Sequence, residues 1–154
     1  MPNWCKGTLK VRGQKKDLEN FIFNGLKPVN CLGEDQESLE PNEWNNITFE
    51  GSAWIEGTKR GFVEYMDVYL DELEREEGEP DPIICLDTKF AWRIITQDLV
   101  EISKKYNIDF KILGFERGME FNQDIEIVKG EIIKDVEIQF DDYEWECINP
   151  TLGG

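Results

Sequence analysis

The hydrophobic patterning of this 154-residue chain predicts an α+β fold, an antiparallel sheet with two helices on one face. Three observations predict it. Most apolar segments alternate with period two, as half-buried strands do. Only two stretches, 15–25 and 96–106, carry the 3.6-residue spacing of helices. After each helix the strand candidates come in runs joined by turns, which favours antiparallel pairing with the helices set apart from the strands.

Each element has its own justification. In 5–11, Cys5, Gly7, Leu9 and Val11 share one face and Lys6, Thr8, Lys10 and Arg12 the other, so this strand has a basic solvent face. Gly13-Gln14 ends it. Leu18, Phe21, Ile22 and Leu26 then follow helical spacing, with Gly25 near the helix end. Residues 27–45 read as a loop, with Pro28, Gly33, Pro41, five acids and one base, Lys27. Ile47, Phe49, Trp54 and Ile55 flank Gly51, which marks a strand with a bulge or bend. Residues 62–73 fit both periods: Phe62, Met66, Tyr69 and Leu73 for a helix, Phe62, Met66, Val68 and Leu70 for a strand.

The segment 71–82 is an acidic turn that Gly78, Pro80 and Pro82 keep from continuing as helix. Ile83–Leu86 is a short apolar strand. Thr96 is positioned to cap a helix whose first turn holds Asp98 and whose last turn holds Lys104 and Lys105. Strands are expected at 108–115, 121–128 and 132–140, the last two joined by a hairpin at Lys129-Gly130. The order β-α-β-β-β-α-β-β-β is a ferredoxin-like arrangement with additional strands. One domain is expected over 1–146, with a frayed tail over 147–154. The expected core includes Leu9, Val11, Leu18, Phe21, Ile22, Leu86, Leu99, Ile102, Phe110, Ile112, Ile125, Ile127 and Ile138.

Charge narrows the function. Thirty-three acids face seventeen bases, for a net charge of −16, and there is no histidine. Such a field repels nucleic acid and anionic membranes and attracts basic surfaces. The lack of His removes the commonest general base and metal ligand. Cys5, Cys31, Cys85 and Cys147 form no C-x-x-C pair, and the bland reading makes them buried, reduced thiols. No disulfide, no zinc and no cofactor is expected. No apolar run is long enough to span a bilayer, and the first residues lack the apolar stretch of a signal peptide. A soluble, intracellular protein is therefore expected.

Four short segments carry a family resemblance. They are Pro2-Asn3-Trp4-Cys5 at the first strand, Gly57-Thr58-Lys59 before an aromatic strand, Asp87-Thr88-Lys89-Phe90 before the second helix, and Gly118-Met119-Glu120-Phe121 before the closing hairpin. In this order they resemble the YubB-type ferredoxin-like family of phage and plasmid accessory proteins. The resemblance spans most of the chain and departs at Ala91-Trp92-Arg93, where the family has prolines. It implies a mobile-element origin and a strand at 62–70. It supplies no catalytic residues.

Catalytic constellations are sparse. Ser38, Ser52 and Ser103 have no His to activate them. Gly57-Thr58-Lys59-Arg60-Gly61 is basic and Gly-rich but lacks P-loop spacing, and reads as a tight turn. Asp142, Glu144 and Glu146 would share a face if 140–146 were extended, and Asp87 could join them around a hard cation.

The acids cluster more tellingly. Glu34, Asp35, Glu37, Glu40 and Glu43 stand without a base, and Asp71, Glu72, Glu74, Glu76, Glu77, Glu79 and Asp81 meet only Arg75. A third group runs from Asp135 to Glu146, with Tyr143 and Trp145 between its acids. By contrast Lys6, Lys10, Arg12, Lys15 and Lys16 all precede the first acid, Asp17. Acidic stripes with aromatic anchors suit a protein interface.

The expectation is a non-enzymatic acidic binding module, an anti-CRISPR-like nucleic-acid mimic that inhibits a basic nucleic-acid-handling host protein such as a defence nuclease. Its contact residues would be Asp71, Glu72, Glu74, Glu76, Glu77, Glu79, Asp81, Asp142, Tyr143, Glu144, Trp145 and Glu146, without direct DNA or RNA binding. The alternatives are a metal-dependent nuclease or RNA-processing enzyme built on Asp87 and the 142–146 carboxylates, and an accessory structural protein of a phage.

Overall fold

A computed structural model describes residues 1–154. It is an α+β fold dominated by one eight-stranded antiparallel sheet with three helices. The elements run β1 (Trp4–Arg12), α1 (Lys15–Asn20) continuing into a π turn (Phe21–Gly25), β2 (Leu26–Pro28), β3 (Asn46–Ile55), β4 (Gly61–Tyr69), a 3₁₀ turn (Leu70–Leu73) and β5 (Ile83–Ala91). Then come α2 (Thr96–Tyr106), β6 (Asp109–Glu116), β7 (Phe121–Val128), β8 (Glu131–Gln139) and α3 (Tyr143–Glu146). The sheet order is β2-β3-β4-β5-β1-β6-β7-β8.

β1 sits inside the sheet because its alternation supplies one apolar face. It pairs with β5 from Trp4↔Ala91 to Arg12↔Ile83, and with β6 on its other edge. The register defines two ends. Trp4, Gly61, Ala91, Glu116, Phe121 and Gln139 lie at the upper end, and Arg12, Tyr69, Ile83, Asp109 and Glu131 at the lower. A core of 28 buried residues takes side chains from β1 and β3–β7 and from both longer helices. Phe21 meets Tyr106 and Phe110 edge to face, with centroids 5.6 and 5.8 Å apart.

Residues 61–69 form a strand, and its bulge explains the mixed period. Register shifts between Val63 and Tyr65, so the buried residues fall at Val63, Met66 and Val68. The first interval is helical, the second extended. β3 has a like irregularity between Glu50 and Ala53, with Gly51 at φ 149°. β5 runs past its apolar run to Ala91, because buried Thr88 donates its hydroxyl to the Gly7 carbonyl at 2.8 Å.

Several expectations are corrected. Ile95, not Thr96, is the N-cap of α2, and no side chain caps it. The helix ends on Asn107 at φ 55°, whose N–H donates to the Ser103 carbonyl. The first helix is shorter than 15–25 as regular α-helix, since its last turn widens to a π turn. Ile138 is only half-buried, because β8 is an edge strand with little over it. The tail is not frayed: Cys147 is buried, Leu152 packs beside it, and Gly154 N–H donates to the Trp4 carbonyl at 2.9 Å.

Leu99 is fully buried in α2. Leu99→Ala is expected to cost about 2–5 kcal/mol, as large-to-small core changes do. Denaturant melts check this; a loss under about 0.5 kcal/mol, the size of a surface change, would contradict the burial.

Candidate functional site

The acidic segment 71–81 connects the lower ends of β4 and β5, since Tyr69 and Ile83 both lie there. The second acidic segment reaches the same place. The 30–45 loop leaves β2 where Val29 N–H bonds the Ser52 carbonyl, and descends the outer side of β3 to Asn46. There Asn45 Nδ2 donates to Asp71 Oδ1 at 2.8 Å, and Leu70 N–H donates to the Asn45 carbonyl at 3.0 Å. The end of the 30–45 run thus reaches the start of the 71–81 run at the lower end, while Glu34 and Asp35 stay beside β2, where Asp35 bridges Val29 and Gln36 N–H bonds the Pro28 carbonyl.

Little positive charge balances them. Among their carboxylates only Glu74 forms an ion pair, with Lys15 at 2.6 Å. That hydrogen bond raises the Lys15 pKa and keeps the ammonium charged. Arg75 spends its guanidinium on the backbone carbonyls of Glu72 and Glu74, at 2.8 and 2.7 Å, not on a carboxylate. Gly13 N–H bonds the Pro82 carbonyl, tying the segment's end to β1.

The third acidic group lies apart. Residues 140–146 follow β8 at the upper end, so Asp142, Glu144 and Glu146 do not join the 71–81 surface. Nor are they extended. Asp142 Oδ1 accepts Trp145 N–H and Glu146 Oε2 accepts Asp142 N–H, which winds Tyr143–Glu146 into a helical turn. Tyr143 is buried, its hydroxyl donating to Asn122 Oδ1 at 3.1 Å, so it is no surface anchor. Burial also raises its pKa. Trp145 is exposed. Asp87 lies in mid-β5, opposite Thr8 and Tyr65, and no group of three or more His, Cys, Asp and Glu is arranged to hold a metal.

The thiols divide into two classes. Cys5 and Cys147 are buried, whereas Cys31 and Cys85 are exposed, a correction to the all-buried reading. No helix is long and apolar enough to cross a membrane.

Three of the four segments that carry the family resemblance lie at the upper end, and the fourth, Asp87–Phe90, runs toward it from mid-β5. Asn3 receives Trp92 N–H on its carbonyl, and its side chain lies against Gly118. Thr58 closes the β3–β4 turn through Gly61 N–H at 3.0 Å. Buried Glu116 accepts the N–H groups of Gly118 and Met119 at 2.7 and 2.8 Å. Sequence reasoning treated these segments as markers and missed that they gather toward one end, because no local pattern announces strand register. No family model, curated protein or solved structure matches the chain.

Desolvation pushes the Cys5 thiol from its ordinary 9.0 up to about 12. The folded state therefore holds that proton more tightly than the unfolded chain. Stability is full below the unfolded value and falls as pH climbs toward about 12. Cys5→Ala is expected to flatten this alkaline loss in pH-dependent melts. A thiol reagent at neutral pH should label Cys31 and Cys85 rapidly and the other two only on unfolding. Equal labelling of all four in the native protein would contradict their placement.

Proposed function

We propose that this chain is a binding module of a phage or other mobile element, acting in the host cytoplasm, and not an enzyme. Its acidic lower end occupies a basic surface of a nucleic-acid-handling host protein, such as a defence nuclease, as an anti-CRISPR-like nucleic-acid mimic. The observation that carries the reading is the run of carboxylates over 71–81 at the lower end, met there by the end of the 30–45 loop at the Asn45–Asp71 hydrogen bond, with every carboxylate of the run but Glu74 lacking a basic partner. Unpaired carboxylates grouped at one end present the charge a phosphate-binding surface accepts, and act chiefly on encounter rate.

The order of the inner strands supports reading them as a ferredoxin-like unit, the family part of the proposal. Strands β4-β5-β1-β6 have its order, with α1 following β1 and α2 joining β5 to β6. We infer that both helices cover one face, since Leu18, Phe21, Leu99 and Tyr106 enter one core. On this reading β2 and β3 extend the unit on one side and β7 and β8 on the other.

The test compares wild type with a variant carrying Lys at Glu72, Glu76, Glu77 and Glu79. Glu74 is left alone because Lys15 holds it. Partners are captured from host lysate at rising salt, and association with the captured protein is timed. The variant is expected to melt like wild type, associate about 10-fold or more slowly at low salt, and compete poorly with the partner's DNA or RNA. An undiminished on-rate at low salt would remove this end as the interface. Magnesium-dependent cleavage of nucleic acid, lost in Asp142→Asn, would replace the binding reading with the nuclease one.

A further inference from the structure

The upper end carries a cavity that the acidic-surface reading does not use. The β3–β4 turn and the β5–α2 connection rise side by side because Ala91 N–H donates to the Arg60 carbonyl at 3.0 Å. Between them lies a cavity of about 330 Å³. Its floor is apolar: Phe90 lies so close under Gly61 that a Cβ there would come within 2.6 Å of the ring. Lys59, Arg60 and Arg93 border it, against one carboxylate, Asp98, which accepts Lys59 N–H at 3.3 Å.

The cations are not equally free. Arg93 is bound to Glu137 at 2.6 Å and lies over the Phe121 ring. Lys59 and Arg60 form no ion pair within 4.0 Å. Arg60 is steadied over the Trp4 ring, 5.8 Å from its centroid. Lys59 and Arg60 outnumber the one unpaired carboxylate of the cavity, Asp98, in a chain of net charge −16, and that local surplus suits an anion.

Trp92 supplies the second requirement. It lines the cavity, is 55% exposed, and has φ 68°. Bulky residues rarely adopt that region. Arg93 N–H closes a three-residue turn on the Ala91 carbonyl at 2.8 Å, and Trp92 N–H bonds the Asn3 carbonyl at 2.7 Å. Core packing does not account for a strained, exposed tryptophan; strain of this kind gathers at ligand clamps. The turn is also fixed from beneath. Buried Gln123 accepts Ile94 N–H at 2.8 Å and donates to the Ile94 carbonyl at 3.0 Å. The cavity is therefore built before any ligand arrives.

We propose that this cavity binds a nucleoside monophosphate, its base stacked on Trp92 and its phosphate held by Lys59 and Arg60. A planar ring joined to an anion is the chemistry that an exposed indole beside two free cations recognises. The volume stands at the small end of ligand sites, which run from about 300 to 1,000 Å³. It has room for one nucleotide, not a strand. The acidic 71–81 segment does not oppose binding. It lies a strand length away, about 30 Å for nine residues, and salt screens charges over about 8 Å.

Calorimetry of the full chain tests this with AMP, adenosine and inorganic phosphate. AMP is expected to bind, more weakly as salt rises, and about 10-fold or more tightly than either adenosine or phosphate. The double substitution Lys59→Gln, Arg60→Gln should weaken AMP about 10-fold or more while leaving adenosine unchanged. Trp92→Gly relieves the positive φ, so the chain should melt no earlier than wild type, yet lose about 5- to 100-fold in AMP affinity. That split separates a ligand role from a structural one. The proposal fails if AMP does not bind at about 10 mM, if phosphate alone binds as well, or if folded Trp92→Gly keeps full affinity. A single-stranded oligonucleotide that binds more tightly than AMP would also overturn the mononucleotide assignment.

Discussion

Everything in this fold hangs on β1, an inner strand held between β5 and β6. Its close approach to β6 requires glycine. A Cβ on Gly7 would lie 2.4 Å from the Leu113 carbonyl oxygen, and one on Gly114 would lie 2.7 Å from Cys5 Sγ. No larger side chain fits either place without moving backbone or a buried thiol. The two ends of β1 then organise the two ends of the molecule. At the upper end the Asn3 carbonyl holds the Trp92 turn, the Trp4 carbonyl holds Gly154, and the Trp4 ring carries Lys89 at 4.9 Å and Arg60 at 5.8 Å. At the lower end Gly13 anchors Pro82 and Lys15 holds Glu74.

Buried polar side chains do the remaining joining. Gln123, Glu116, Asn122, Ser103 and Thr58 are all buried, and each ties a connection to the sheet or closes a turn. Ser103 accepts Gly130 N–H at 2.9 Å and donates to the Ile108 carbonyl, so one hydroxyl links α2 to the β7–β8 hairpin and to the start of β6. Buried groups of this kind contribute modestly when paired and cost much when left alone. They therefore specify which loop lies where more than they add stability. Asn46 Oδ1 is the one buried side-chain nitrogen or oxygen left without a hydrogen-bond partner.

The same distinction explains what the sequence revealed. Apolar periodicity is local, so α2 was legible from Leu99, Ile102 and Tyr106, and β1 from its alternation. Bulges at Glu50–Ala53 and Val63–Tyr65 shift the period within a strand, which made 62–73 look half helical. At 140–146 the alternation of acids and aromatics imitated a strand, while the contacts of Asp142 with Trp145 and of Glu146 with Asp142 wound a helical turn. The lower acidic surface was legible as composition but not as a place. Nothing local says that Asn45 will meet Asp71. The cavity was less legible still: its turn was read as a tight turn, and its tryptophan was noted only as a departure from a pattern.

Register also decides where the net charge resides. On the strands, acids and bases meet across the sheet. Lys6 and Lys89 share Glu64, Lys111 faces Glu126, Lys134 meets Asp124, and Arg12 meets Asp109. Pairs this exposed contribute about 0–1 kcal/mol each, so their effect on stability is small. Their effect on the field is larger, because they neutralise the middle of the sheet and leave the surplus acids in the connections. Most of the net charge of −16 therefore lies outside the strands, in the connections. With strands about 30 Å long and screening over about 8 Å, the ends do not sense one another. The lower end can attract a basic surface while Lys59 and Arg60, on the β4–β5 side of the upper end, attract an anion; the carboxylates of 141–146 share that end but follow β8, at the opposite edge of the sheet.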